Sequence, residues 1–202
     1  MATIDHVTLE VTDPEAADVF HTAFLGPHDW LRVRASDAPA VGFRGFTLSL
    51  VVPVPADVDK LVAAAVAAGG KALKPAAKSL WGYGGVVRDP DGVIWTVASA
   101  TKKDAGPATG RIDDVVLQLG VTDVGASKRF HVGRGLEVTR SYGRRYAEFA
   151  PPGSPVKLAL LKRRALAKAA GVDPEGSGSH RLAIGSDAGA FTDPDGFVWE
   201  PA

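Results

Sequence analysis

Two short segments of this chain are near copies of one another. GGVVRDPDGVIWTVA covers residues 84–98, and GAFTDPDGFVWEPA closes the chain at 189–202. Each carries Asp-Pro-Asp-Gly three residues ahead of a tryptophan, at an offset of 104 (Gly85 with Gly189, Asp89 with Asp193, Trp95 with Trp199). The starts of the two halves also match. IDHVTLEV from Ile4 corresponds to IDDVVLQL from Ile112, at an offset of 108. After a gap of two residues, Thr12-Asp13 meets Thr122-Asp123 and Phe20-His21 meets Phe130-His131. Matching ends in the same order, about a hundred residues apart, indicate an internal duplication. The duplication constrains the fold more than any single motif: two halves, residues 1–100 and 111–202, joined by the polar, Gly- and Pro-containing linker TKKDAGPATG at 101–110.

Local patterns fill in each half. HVTLEV alternates and is β-branched, so it predicts a strand. Asp13 supplies an N-cap, Pro14 the first helical position and Gly26 the stop, so a helix follows. FTLSLVV (46–52) predicts a strand, with Asp57 capping the next helix, and strands follow at 71–75, 84–88 and 93–98. The second half repeats the plan: a strand at 112–119, a helix from Asp123, strands near 136–142, 145–150 and 156–161, a short basic helix in LKRRALAKAAG, and a strand at 180–185. The recurring unit is β-α-β-β-β, complete in 46–100 and 112–161 and shortened in 1–45 and 180–202. The class is α+β, with tandem βαβββ modules in curled, antiparallel-rich sheets.

Asp-Pro-Asp-Gly has the chemistry of a tight hairpin turn. Asp accepts from the backbone ahead of it, Pro sets φ, and Gly supplies positive φ. These aspartates read as structural. His21 and His131, on helices behind Phe, read as outer-face residues. His28 carries no motif, and the arginines of RSYGRRY (140–146) read as facing solvent.

The bulk numbers exclude several functions. Lys plus Arg equals Asp plus Glu at 23 each, so no basic excess points to nucleic acid or an acidic membrane. There is no cysteine, which removes disulfides, thiolate metal sites and a cysteine nucleophile. No signal peptide is visible and no apolar run reaches spanning length, so a cytoplasmic protein is expected. Ala, Gly and Arg usage suggests a GC-rich bacterial genome. No phosphate-binding loop, dinucleotide fingerprint, G-x-S-x-G or H-E-x-x-H occurs. Aromatic residues interleaved with glycine in KSLWGYGG (78–85) suit the wall of a planar-ligand pocket, which would take in Trp81, Tyr83, Trp95, Trp199 and Phe46.

Paired units opening with IDHVTLEVTDPEAADVFH and closing with DPDG ahead of Trp resemble the vicinal oxygen chelate superfamily, which includes glyoxalase I, extradiol dioxygenases and the fosfomycin- and bleomycin-resistance proteins. The chain looks most like actinobacterial glyoxalase-like proteins. The resemblance implies open barrels around a cavity, with metal ligands on the first and last strands of a unit. His6 and His180 stand at His positions, Asp114 at the corresponding first-strand place and Glu200 at the closing Glu position. Phe46 and Thr96 stand where the first half would need ligands. The metal set implied is His6, His180, Glu200 and Asp114, with Glu200 also the catalytic carboxylate. The site lies either within the second half or in a cavity that the shortened ends complete together. Imidazole and carboxylate suit Fe, Mn, Ni, Co or Zn.

Two functions follow from the resemblance. One is a glyoxalase-like metal-dependent enzyme, a lyase, isomerase or dioxygenase-like protein acting on a small oxygen-rich substrate. The other is a metal-free protein, without cofactor, that binds or sequesters a drug or planar metabolite. A small-molecule partner is expected in both, nucleic acid and membrane in neither, and homodimers are common in such families.

Overall fold

A computed structural model describes residues 1–80, 82–103 and 106–202. The first half contains β1 (Ile4–Val11), α1 (Pro14–Leu25), β2 (Leu31–Ala35), β3 (Ala40–Gly42), β4 (Phe46–Val51), α2 (Pro55–Ala67), β5 (Lys71–Ser79), β6 (Gly82–Arg88) and β7 (Ile94–Ser99). The second contains β8 (Asp114–Val121), α3 (Val124–Gly133), β9 (Val138–Ser141), β10 (Tyr146–Phe149), β11 (Val156–Lys162), α4 (Arg163–Ala170), β12 (Gly176–Gly178), β13 (Leu182–Ser186), β14 (Phe191–Thr192) and β15 (Val198–Pro201). The class is α+β, as expected. The strands β2, β3 and β12 add to the elements predicted from sequence; they are short, and β2 (LRVRA) is part exposed, so their hydrophobic signal is weak.

Each of the two main sheets draws strands from both halves. The eight-stranded sheet runs β5-β6-β7-β4-β8-β11-β10-β9, and the five-stranded sheet runs β14-β15-β13-β1-β2. First strands of units pair antiparallel at the centre of each sheet, β4 with β8 and β1 with β13. Each is flanked by a parallel partner from its own end of the chain: β7 on β4, β11 on β8, β2 on β1 and β15 on β13. The shortened ends therefore complete one another's sheet.

Strand alternation sets what the sheets bury. Val7, Leu9 and Val11 of β1, Leu48 and Leu50 of β4, and Leu117 and Leu119 of β8 enter one continuous core with Phe24, Trp95 and Trp199. Fully burying each such side chain is worth roughly 1.5–3 kcal/mol. The opposite face of the eight-stranded sheet is covered at one end by α4, whose Leu166, Ala167 and Ala170 pack with Val86, Ile94 and Phe43 in a second cluster.

The helix starts follow the sequence in two cases. Asp13 and Asp123 cap α1 and α3 through Ala16 N–H (3.1 Å) and Ala126 N–H (2.9 Å). Asp57 is different. It lies inside α2, whose N-cap is Val54, and its buried carboxylate accepts from Gly110 N–H (2.7 Å) and Thr109 Oγ1 (2.8 Å). It ties the inter-half segment to the helix instead of capping it.

Both Asp-Pro-Asp-Gly segments form hairpin turns, with Gly92 and Gly196 at φ +89° and +88°. Asp89 N–H donates to Val93 O (2.9 Å), and Asp193 N–H donates to Phe197 O (3.0 Å). The first carboxylate of each motif closes its own turn. Asp89 accepts from Val93 N–H (2.8 Å) and from the Trp95 indole (3.0 Å), which accounts for the spacing of aspartate and tryptophan. Asp193 accepts from Asp195 N–H and Phe197 N–H, both at 3.0 Å. The second carboxylate reaches the other sheet. Asp91 accepts from Thr12 N–H (3.4 Å), just past β1, and Asp195 from Thr122 N–H (2.7 Å) and Ser127 Oγ (2.7 Å), just past β8.

His21 and His131 are buried at 1% and 0% exposure, which corrects their reading as outer-face residues. Each helix turns its histidine inward against a turn aspartate: His21 Nε2 lies 3.6 Å from Asp89 Oδ2, and His131 Nε2 lies 3.6 Å from Asp193 Oδ2. Their rings meet Trp95 at 5.6 Å and Trp199 at 5.1 Å. The duplication thus repeats a buried His-Asp-Trp cluster as well as a turn. Replacing Asp89 with Ala is expected to cost about 2–4 kcal/mol, because a buried indole N–H and a turn amide lose their acceptor together. Urea unfolding of Asp89→Ala against the parent measures it.

Candidate functional site

The outer face of β1 carries the residues left over from the core. Val7, Leu9 and Val11 point inward, so His6, Thr8 and Glu10 share the opposite face. In register, His6 lies opposite Gly185 and Gly185 opposite Glu200. Arg32 and Arg34 of β2 pair with Thr8 and Glu10. One sheet face therefore presents an imidazole, two carboxylates and two guanidiniums.

The His6 ring lies over Gly185. A Cβ there would sit 2.1 Å from His6 Cε1, so only glycine leaves room for the imidazole. His6 is 5% exposed, and its Nε2 is 3.0 Å from Arg32 Nη1. Arginine can only donate, so Nε2 is the acceptor and Nδ1, which has no partner, holds the proton of the neutral ring. Burial, then the Arg32 cation, holds the His6 pKa below 6.5, against weaker opposition from Asp5 and Glu200.

Glu200 is held by Arg34. Arg34 Nη1 donates to both Glu200 oxygens (3.0 and 3.2 Å), and Arg34 Nη2 donates to Glu10 Oε1 (2.8 Å). The hydrogen bond to Glu10, followed by Glu200, raises the Arg34 pKa above its ordinary value. A charge-assisted fork of this kind satisfies both carboxylates at once.

These donors do not fit a divalent ion as arranged. A ligand imidazole must offer a free lone pair, and that of His6 Nε2 faces Arg32. A ligand carboxylate must turn an oxygen toward the ion, and both oxygens of Glu200 turn toward the Arg34 guanidinium. Among the described residues, no three His, Asp or Glu side chains gather around a common point.

The other expected ligands are elsewhere. His180 Nδ1 lies 2.5 Å from Arg44 O and Nε2 3.1 Å from Asp195 O, with the ring stacked on Phe197 at 3.9 Å. The resemblance implies a ligand here; the ring lies against the second Asp-Pro-Asp-Gly turn, with each nitrogen beside a carbonyl oxygen. Asp114 belongs to the eight-stranded sheet and is paired with Lys157 at 2.6 Å, so it does not join His6 and Glu200.

The residues of the expected aromatic wall lie in different places. Trp95 and Trp199 are 0% and 1% exposed, in the core. Tyr83 donates its hydroxyl to Asp59 of α2 (2.8 Å), bracing the helix. Trp81 lies outside the described residues. Phe46 packs with the core, and its neighbours Thr47 and Ser49 face the other side of the sheet. Phe46 does border a cavity of about 330 Å³ beside α4, together with Phe43, Arg44, Arg88 and Ile94. Sequence reasoning missed this cavity, because it is assembled from loops and strand ends distant in the chain, and no local signal marks it.

Two outcomes test the site. Gly185→Ala should destabilise the fold by about 1–3 kcal/mol through overpacking, and His6→Ala in the same chain should recover most of that loss in a double-mutant cycle. His6 should titrate below 6.5 by NMR. The unfolded chain then binds the proton more readily than the folded one, so the contribution of His6 favours folding above 6.5 and is lost as pH falls below it.

Residues 6–97 match the family model of the Glyoxalase/Bleomycin resistance protein/Dioxygenase superfamily. Among curated proteins no significant match is found. Among solved structures, glyoxalase I from Zea mays is 14% identical and superposes with a TM-score of 0.62, covering 98% of this chain and 91% of that one. A putative dioxygenase from Bacillus subtilis is 13% identical, with a TM-score of 0.54, covering 96% of this chain and 71% of that one. At such identities the likeness shows the fold alone. The chain carries a Glyoxalase/Bleomycin resistance protein/Dioxygenase superfamily unit in residues 6–97 and, over nearly its whole length, the fold of that superfamily.

Proposed function

We propose that this chain is a metal-independent, small-molecule-binding member of its superfamily, with its ligand in the cavity beside α4. The observation that carries the reading is the Arg34 fork across Glu10 and Glu200, with Arg32 on His6. The resemblance implied metal ligands at His6 and Glu200, and in this chain those two side chains already have cationic partners. A guanidinium stays protonated at any working pH. A divalent ion would have to break three charge-assisted hydrogen bonds and settle beside two positive charges.

The fold hosts unrelated chemistries, so function has to be argued from the site. A largely preformed concave space with apolar walls and a few polar groups is the usual form of a small-molecule site, and about 330 Å³ lies within the usual size range. The metal-dependent lyase, isomerase or dioxygenase reading would require His6 and Glu200 to exchange their arginine partners for the ion. Among the described residues no helix is long and apolar enough to cross a membrane.

The test is calorimetric titration of untagged protein with Ni²⁺, Co²⁺, Mn²⁺, Fe²⁺ and Zn²⁺. No stoichiometric binding tighter than about 1 mM is expected, equivalent to about −4 kcal/mol. An ion bound one to one, and lost in both His6→Ala and Glu200→Gln, would overturn the reading.

A further inference from the structure

We propose that the cavity beside α4 takes a small organic carboxylate, its acid group on Arg44 and Arg88 and its apolar body against Phe43, Phe46 and Ile94. The proposal rests on the reading of this cavity as the ligand site and adds the chemical class. Arg44 and Arg88 both border the cavity. Neither is in an ion pair with a carboxylate among the described residues. Arg44 donates through Nη2 to the carbonyl of Asp91 in the first Asp-Pro-Asp-Gly turn, while its buried Nη1 has no partner in the protein.

An unpartnered buried guanidinium nitrogen is costly. Burial, and then the nearby Arg181, lower the pKa of Arg44, with Asp89 and Asp91 opposing. The fold thus keeps a cation where desolvation and a like charge both work against it. A carboxylate supplies what the site lacks: a second hydrogen-bond acceptor, negative charge, and the planar geometry that arginine binds in a bidentate manner.

The apolar part of the lining favours an organic anion over a bare inorganic one. Phe43 and Ile94 belong to the cluster under α4 and Phe46 to the main core, so that part is hydrocarbon. Asp173 and Glu175 also border the cavity. Both are exposed, where solvent screens their repulsion of an incoming anion.

The probes are phenylacetate and naphthylacetate, each against its neutral primary amide, followed by calorimetry and by backbone NMR shifts. The acids should bind at least tenfold more tightly than their amides. Shifts should centre on Gly92, Ile94 and Val172, and Arg88→Met should weaken acid binding at least tenfold. Arg44→Met should do the same; because Arg44 also holds a turn carbonyl and that variant can lose its fold, Arg88→Met decides independently. Equal binding of acid and amide, no binding by either acid, shifts centred elsewhere, or an Arg88→Met protein that binds as the parent does would overturn the proposal. An amide that binds here as well as its acid removes the carboxylate and leaves the metal-independent cavity standing. A divalent ion held by His6 and Glu200 removes the metal-independent reading and leaves the carboxylate site untouched.

Discussion

The carboxylates of the two Asp-Pro-Asp-Gly turns hold the two sheets in register. In each turn the first aspartate satisfies the turn itself, Asp89 through Val93 N–H and the Trp95 indole, Asp193 through Asp195 N–H and Phe197 N–H. The second aspartate of each turn caps the amide that follows a first strand in the opposite sheet, at Thr12 and Thr122. Each of these amides takes its acceptor from a turn far away in sequence. The pairing of β1 with β13, and of β4 with β8, is consistent with these cross-ties and places the two ends of the chain in one sheet.

That joining brings His6 and Glu200 onto one face. Glu200 comes from the last strand and His6 from the first, and they face the same side only because β13 lies between β1 and β15. Gly185, the β13 residue between them in register, has no side chain to block the imidazole. Arg34 then reaches from β2 to Glu200, linking the sheet near both of its edges. One geometry therefore gathers the groups the resemblance pointed to and engages them with arginine.

The duplication was legible in the sequence because turn chemistry is local. Asp, Pro and Gly each have a stated backbone role, and the first strands alternate cleanly. The class, α1, α3, α4 and the hairpins follow from such signals. The partners of side chains were not legible. Nothing local tells that His21 and His131 turn inward onto turn aspartates, or that the ring of His180 is engaged by Arg44 O and Asp195 O. Nor does anything local tell that LRVRA, whose alternation exposes its arginines, would lie beside β1 and neutralise the carboxylates there. Asp57 shows the same limit: its position suits a cap, and its hydrogen bonds go to Thr109 and Gly110 instead.

The two copies differ where selection on a duplicated unit would act separately. In the first, the Trp95 indole has its aspartate, and Arg44 braces the turn with one nitrogen left over. In the second, the Trp199 indole and Asp193 Oδ2 have no hydrogen-bond partner, and Ser127 and the His180 ring brace the turn. A cation with a spare donor thus stands beside the first turn, next to a cavity. The carboxylate that follows Trp199 is committed to Arg34, whereas Thr96, at the matching place after Trp95, brings no charge.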